Sequence, residues 1–175
     1  MRRTVVPREY PHHSYFGASA LALIALTVGG GFTGFALTLQ YLLALQAQQP
    51  IYFLTAFAFL ALYAFVTLSG LLFVHNPQRT LPLFIAVGLQ IPWISSPLLA
   101  YRFTAGLQAT VGLTGGTFAW RLGLGSDWHC SVFQKLPWGA GVNLIAVLML
   151  VLLAHSHVRQ SPCPLVDVPK SVASD

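Results

Sequence analysis

Residues 14–74 read SYFGASALALIALTVGGGFTGFALTLQYLLAL (14–45), QAQQP (46–50) and IYFLTAFAFLALYAFVTLSGLLFV (51–74), and no Asp, Glu, Lys or Arg occurs between Glu9 and Arg79. A helix needs about 20 mostly apolar residues to cross a bilayer, and this uncharged stretch holds two such segments. The break between them is polar and ends in Pro50, which lacks the backbone N–H that a continuing helix would use. So short a connection implies an antiparallel helical hairpin. The first segment has a basic start, but its apolar run far exceeds the roughly 7–15 residues of a signal-peptide core. A retained helix is therefore expected.

Composition agrees with a lipid environment. Charged residues make up 7% of the chain and hydrophobic residues 55%, with a mean hydropathy of +0.69. Soluble domains carry about 25% charged residues to cover their surfaces. The net charge of +5 comes from Lys and Arg scattered in short segments between apolar runs. It does not form the basic face with aromatic platforms that nucleic-acid binding needs, so no nucleic-acid partner is expected.

Two further spans are expected downstream. The third covers about 81–101, between Arg79 and Arg102, and holds Pro82, Pro92 and Pro97, so a kink is placed near Gln90 and Ile91. The fourth covers about 138–154 and extends to His157. Arg2, Arg3, Arg8, Arg79, Arg159 and Lys170 then lie on one side, and the excess assigns that side to the cytoplasm.

Between the third and fourth spans, Leu107, Ala109, Val111 and Leu113 alternate with smaller or more polar residues, and Phe118, Trp120, Leu122 and Leu124 do the same after Gly115 and Gly116. Period-two alternation about a Gly-Gly turn marks a β-hairpin. The expected fold is thus an all-α polytopic membrane protein with four transmembrane helices and an extramembrane loop containing a β-hairpin. The expected parts are a cytoplasmic N-terminal segment (1–13), three transmembrane helices (14–101), a periplasmic or exoplasmic loop (102–137), a fourth helix (138–157) and an irregular cytoplasmic tail (158–175).

Three groups of residues invite a chemical reading. The expected topology brings His12, His13, His75, His155 and His157 to one membrane face, and histidine is the commonest transition-metal ligand. His155 and His157 point in different directions on a helix, however, and Glu9 is the only nearby carboxylate before the tail. Interfacial histidines that close helix ends account for them as well. Asp127, His129 and Cys130 form the densest reactive cluster, and in a strand Asp127 and His129 share one face while Cys130 takes the other. Asp127 could there orient the imidazole of a base, although catalytic triads draw on separated segments and these are neighbours. Gly30 and Gly34 form a small-xxx-small pair in the first span, which lets another helix approach closely. Cys130 and Cys163 have no metal-ligand spacing and fall on opposite sides of the membrane.

No carboxylate or amine lies in the interior of an expected span, where pumps and ion-coupled transporters place ionisable groups. The function expected is a non-catalytic accessory, assembly or scaffold subunit of a larger membrane complex, with the lipid bilayer and other membrane subunits as its partners. The bacterial inner membrane is the simplest location, an organellar membrane the other. The alternative is a membrane enzyme or redox component with a metal, haem or quinone near the histidines. No cofactor is required by the residues themselves.

Overall fold

A computed structural model describes residues 18–45 and 50–160. The first apolar stretch is helical over Ala18–Ile24 (α1), passes through one π-helical turn at Ala25–Gly29, and continues over Gly30–Ala44 (α2). Gly30 keeps helical backbone angles, so the three pieces form one rod. A second rod, α3, covers Pro50–His75. Gly31 abuts Thr67, Gly34 abuts Tyr63 and Gly70 abuts Thr27, a pairing that runs in opposite directions along the two rods. Over Ala20–Ala44 and Pro50–His75 the helices are long and apolar enough to cross a membrane.

The third and fourth helices are too short to span. Helix α4 covers only Leu81–Gly88 and α5 begins at Leu144, its apolar part ending at His155. At about 1.5 Å per residue, both fall well below a hydrocarbon thickness of about 30 Å. The expectation of an all-α protein with four spans is therefore overturned: the described residues hold two long apolar helices and a six-stranded antiparallel sheet. Proline supplies the local reason. A residue preceding Pro is pushed out of the α region, so Pro92 ends the helix where only a kink was expected, and Pro97 falls in the bend between the two extended segments that follow. Residues that were to complete the third span instead form β1 (Pro92–Ser95) and β2 (Leu99–Thr104).

The other strands are β3 (Leu107–Thr114), β4 (Thr117–Leu124), β5 (Asp127–Val132) and β6 (Gly139–Asn143), in the spatial order β4-β3-β6-β1-β2-β5. The two alternating runs pair about Gly115 and Gly116, both with positive φ. Their hairpin is larger than the pattern suggested. One register runs from Leu99↔Val132 through Thr104↔Asp127 and Leu107↔Leu124 to Thr114↔Thr117. Between the two halves, the Gly125 N–H donates to the Gly106 carbonyl at 2.6 Å. Strands β2 to β5 are thus one long hairpin, bent at Ala105–Gly106 and Gly125–Ser126, with β1 and β6 bridging its two halves. Both hinge glycines have φ values, +89° and +114°, that side-chain-bearing residues rarely adopt.

The register divides the sheet into two unlike faces. One carries Phe118, Trp120, Leu122, Leu124, Leu113, Val142, Ile94, Tyr101, Phe103 and Trp128. The other carries Thr110, Arg121, Trp93, Arg102, Thr104, Asp127, His129 and Asn143. The polar face is the concave one: Thr104 Oγ1 donates to Gln108 Oε1 at 3.5 Å across the bend. Apolar side chains therefore point outward, reversing the order of a water-soluble half-barrel.

Two cores hold the elements together. Leu23, Phe73, Leu83, Val87, Ala146, Met149 and Leu153 join both rods to α4 and α5. Phe59, Tyr63, Val66, Ala86, Phe103 and Ala105 join the rods to β2. Buried polar groups tie the layers. Gln90 donates to the Ala86 carbonyl and accepts from the Ala105 N–H at 2.9 Å. Asn143 Oδ1 accepts from the N–H groups of Ala109 and Ile145, both at 3.2 Å, capping α5.

Gly30 sits where the hairpin bend meets the first rod, and a Cβ there would collide with the backbone of Ala105 and Gly106. Gly29, its neighbour, has open space around its missing Cβ. Gly30→Ala is expected to lower stability by about 1–3 kcal/mol through overpacking, while Gly29→Ala is neutral or gains up to about 1 kcal/mol of helix propensity. Thermal unfolding of both variants in detergent checks the contrast; equal effects would mean that the bend does not press on Gly30.

Candidate functional site

A cavity of about 400 Å3 forms a groove between α2, α3 and the edge strand β5. Alternate residues of an antiparallel strand bond to the same neighbour. The Phe133 N–H donates to the Leu98 carbonyl, so Asp127, His129 and Ser131 direct their backbone groups at β2. The backbone groups of Trp128, Cys130 and Val132 point away from β2, along the free edge.

Aromatic rings close the groove's inner wall. Trp128 stacks on Phe59 with centroids 4.7 Å apart and meets Tyr41 edge-on at 5.6 Å, so it is a packed side chain. Tyr63, fully buried, donates its hydroxyl hydrogen to the Thr104 carbonyl at 3.0 Å. Thr38 also lines the groove, is 1% exposed, and its hydroxyl has no partner. Helical threonines usually satisfy themselves on the preceding turn, as Thr27, Thr33, Thr55 and Thr67 do here. Thr38 does not, which leaves its buried hydroxyl without a partner.

Asp127, His129 and Cys130 have separate partners in the structure. Asp127 is the sole carboxylate among the described residues, and Arg102 Nη2 holds it at 2.7 Å, with Arg121 Nη1 at 3.6 Å. The carboxylate is committed to these guanidinium groups and not to the imidazole. His129 Nε2 lies 3.5 Å from Ser131 Oγ. Cys130 packs against the aromatic core on the opposite sheet face, and burial pushes its thiol pKa up, which disfavours the nucleophilic thiolate.

The expected helix-packing glycines have different neighbours. Gly34 meets the Tyr63 ring of α3, whereas Gly30 meets the strand connection at Ala105 and Gly106. His75 and His155 are exposed at the ends of α3 and α5, whose nearby Phe73 and Leu153 share one core. No group of three or more His, Cys, Asp or Glu side chains suited to a metal forms among the described residues. His12 and His13 lie outside the described residues, as do Cys163 and the side chain of His157.

Sequence reasoning missed Thr38, Tyr63 and Ser126. Ser126 donates to the Gly30 carbonyl and accepts from the Gly106 N–H at 3.3 Å. Nothing about an isolated Ser after Gly125 signals a partner so far away in sequence. No family model, curated protein or solved structure matches the chain.

The two polar groups of the groove should respond oppositely to mutation. Tyr63→Phe loses a buried hydrogen bond and is expected to cost about 0.5–1.5 kcal/mol. Thr38→Val replaces an unpaired hydroxyl by a methyl of similar shape, and is expected to be neutral or stabilising. Denaturant or thermal unfolding in detergent measures both, and a marked loss in Thr38→Val would reveal a partner for that hydroxyl.

Proposed function

We propose that the protein is a non-catalytic integral membrane subunit that serves the assembly or scaffolding of a larger membrane complex. The observation carrying this reading is β4. It is an edge strand of eight residues, and its outward side chains are exposed: Phe118 69%, Trp120 72%, Leu122 68% and Leu124 90%. Long apolar edge strands are templates for pairing, and proteins ordinarily blunt them with charges, prolines or covering elements. Here Arg121 is the only charge in the strand. A partner strand added along β4 would satisfy its free backbone groups and cover this row, the mode of recognition called β-augmentation.

Lipid covers the remaining apolar surface in this reading. Phe32, Leu37, Leu43, Phe53, Leu54 and Phe57 are exposed on the two rods, and such a belt suits acyl chains. The common core of Leu23, Phe73, Leu83 and Leu153 supports a shared side for the start of the first rod and the ends of α3 and α5. With Arg79 on that side, the basic-residue bias favours the cytoplasm there. The bent hairpin then lies along the rods from their middle, at Gly30, toward their exoplasmic ends, at Tyr41, and a bacterial inner membrane is the simplest host.

Native mass spectrometry of the protein gently extracted from its own membrane tests the proposal. The wild type is expected with other subunits at fixed stoichiometry, and Leu122→Lys, a change on an exposed side chain, is expected to lose them while remaining folded. A lone wild-type chain carrying the extra mass of a metal, haem or quinone would overturn the reading and turn attention to the histidines.

A further inference from the structure

We infer that the concave face of the bent hairpin is a binding site for a single, singly charged oxyanion, supplied by a soluble anion or by the phosphodiester of a lipid headgroup. The inference is independent of any partner at β4. Two adjoining cavities of about 210 Å3 each open on this face, and Trp93, Arg102 and Thr114 line both. Arg121 and Thr110 complete the first, and His129 and Ser95 belong to the second.

The register explains how these residues meet. Trp93 of β1 stands opposite Gly141 of β6, and Gly141 stands opposite Gly112 of β3. A Cβ on either glycine would strike the Trp93 ring, so the two glycines make room for the indole across the floor of the site. Ile94↔Tyr101 sets Trp93 beside Arg102, and Arg102 lies opposite His129. Indole, guanidinium and imidazole therefore occupy successive strands in one row.

The hydrogen-bonding inventory of the site leans toward donors: its one unpartnered acceptor, Asp127 Oδ2, is already held in ion pairs by Arg102 and Arg121. Trp93 Nε1 and Arg102 Nε are both shielded from solvent and both lack an acceptor. Neither group can accept a hydrogen bond, and burying an unpaired donor costs about 1–3 kcal/mol. The charges are unbalanced in the same direction. Arg102 and Arg121 share one carboxylate, Asp127, which leaves one positive charge uncompensated on the face. A ligand that supplies acceptor oxygens and one negative charge corrects both deficits, and Arg is the side chain best shaped to hold an oxyanion.

The test uses the full chain, in detergent with inorganic phosphate or acetate, and in nanodiscs of phosphatidylglycerol or phosphatidylcholine. Thermal unfolding reads binding, because a ligand that prefers the folded state raises the midpoint. Trp93→Phe keeps an aromatic ring and every charge while removing one donor, so a general charge effect cannot move it. Stabilisation by phosphate or acetate, weakened roughly ten-fold in apparent affinity by Trp93→Phe and by Arg121→Gln, supports a soluble oxyanion. Stabilisation by phosphatidylglycerol over phosphatidylcholine alone, with the same dependence on both residues, supports a headgroup. No stabilisation by any of these, or stabilisation that Trp93→Phe leaves unchanged, overturns the inference.

Discussion

The contact on which the rest of this structure depends is the meeting of a helix backbone with a strand connection. Gly30, in the middle of the first rod, lies against Ala105 and Gly106 with no room for a side chain. Ser126, from the other half of the same bend, donates to the Gly30 carbonyl and accepts from the Gly106 N–H. Thr33 donates to the same carbonyl at 3.0 Å. The π-helical turn ends one residue earlier, and helix carbonyls there are drawn away from regular geometry. This cluster fixes where the long hairpin folds over, and hence which residues face each other across its concave side. Tyr63 reinforces the anchor by reaching the carbonyl of Thr104.

Once the bend is set, the alternation of strand residues produces a sheet with its polarity reversed. Polar and charged groups gather inside the curve, where Asp127, Arg102 and Arg121 neutralise one another in part. Apolar groups point outward, onto the rods at β2 and β5 and into open space at β4. In water such a face would drive association. Beside two helices of membrane-spanning length, it extends an already apolar surface. A fold of this kind gains stability from surroundings that are themselves apolar or that complete its sheet.

The two rods were legible because they depend on composition alone: no charge interrupts residues 10–78. The hairpin about Gly115 and Gly116 was legible for a similarly local reason, since period-two alternation and a turn lie within one short window. The third span was misread because the apolar content of residues 81–101 suits a helix and a strand equally. Pro92 and Pro97 decided against the helix, and their effect becomes decisive only when β6 and β2 are available as partners for β1. The fourth span was misread in part because Gly139 and Gly141 were counted as helix, whereas the sheet uses them to seat Trp93. At the site, strand alternation places Asp127 and His129 on one face, but the carboxylate pairs with Arg102, which in the sequence marks only the start of a loop.

By itself, the sequence determined two long uncharged helices, their antiparallel pairing through a short polar break, and a strand pair that turns at two glycines. Each of these rests on interactions between residues close in the chain, or on the solvent that a long apolar run demands. Only the tertiary structure decided that residues 92–104 and 139–143 are strands, that the hairpin bends at Gly106 and Gly125, and that Arg102, Arg121, Asp127 and Trp93 share one concave face. Those outcomes rest on contacts between segments far apart in sequence, such as Gly30 with Gly106 and Trp93 with Gly141. No local pattern encodes which distant backbone will come close enough to require a glycine.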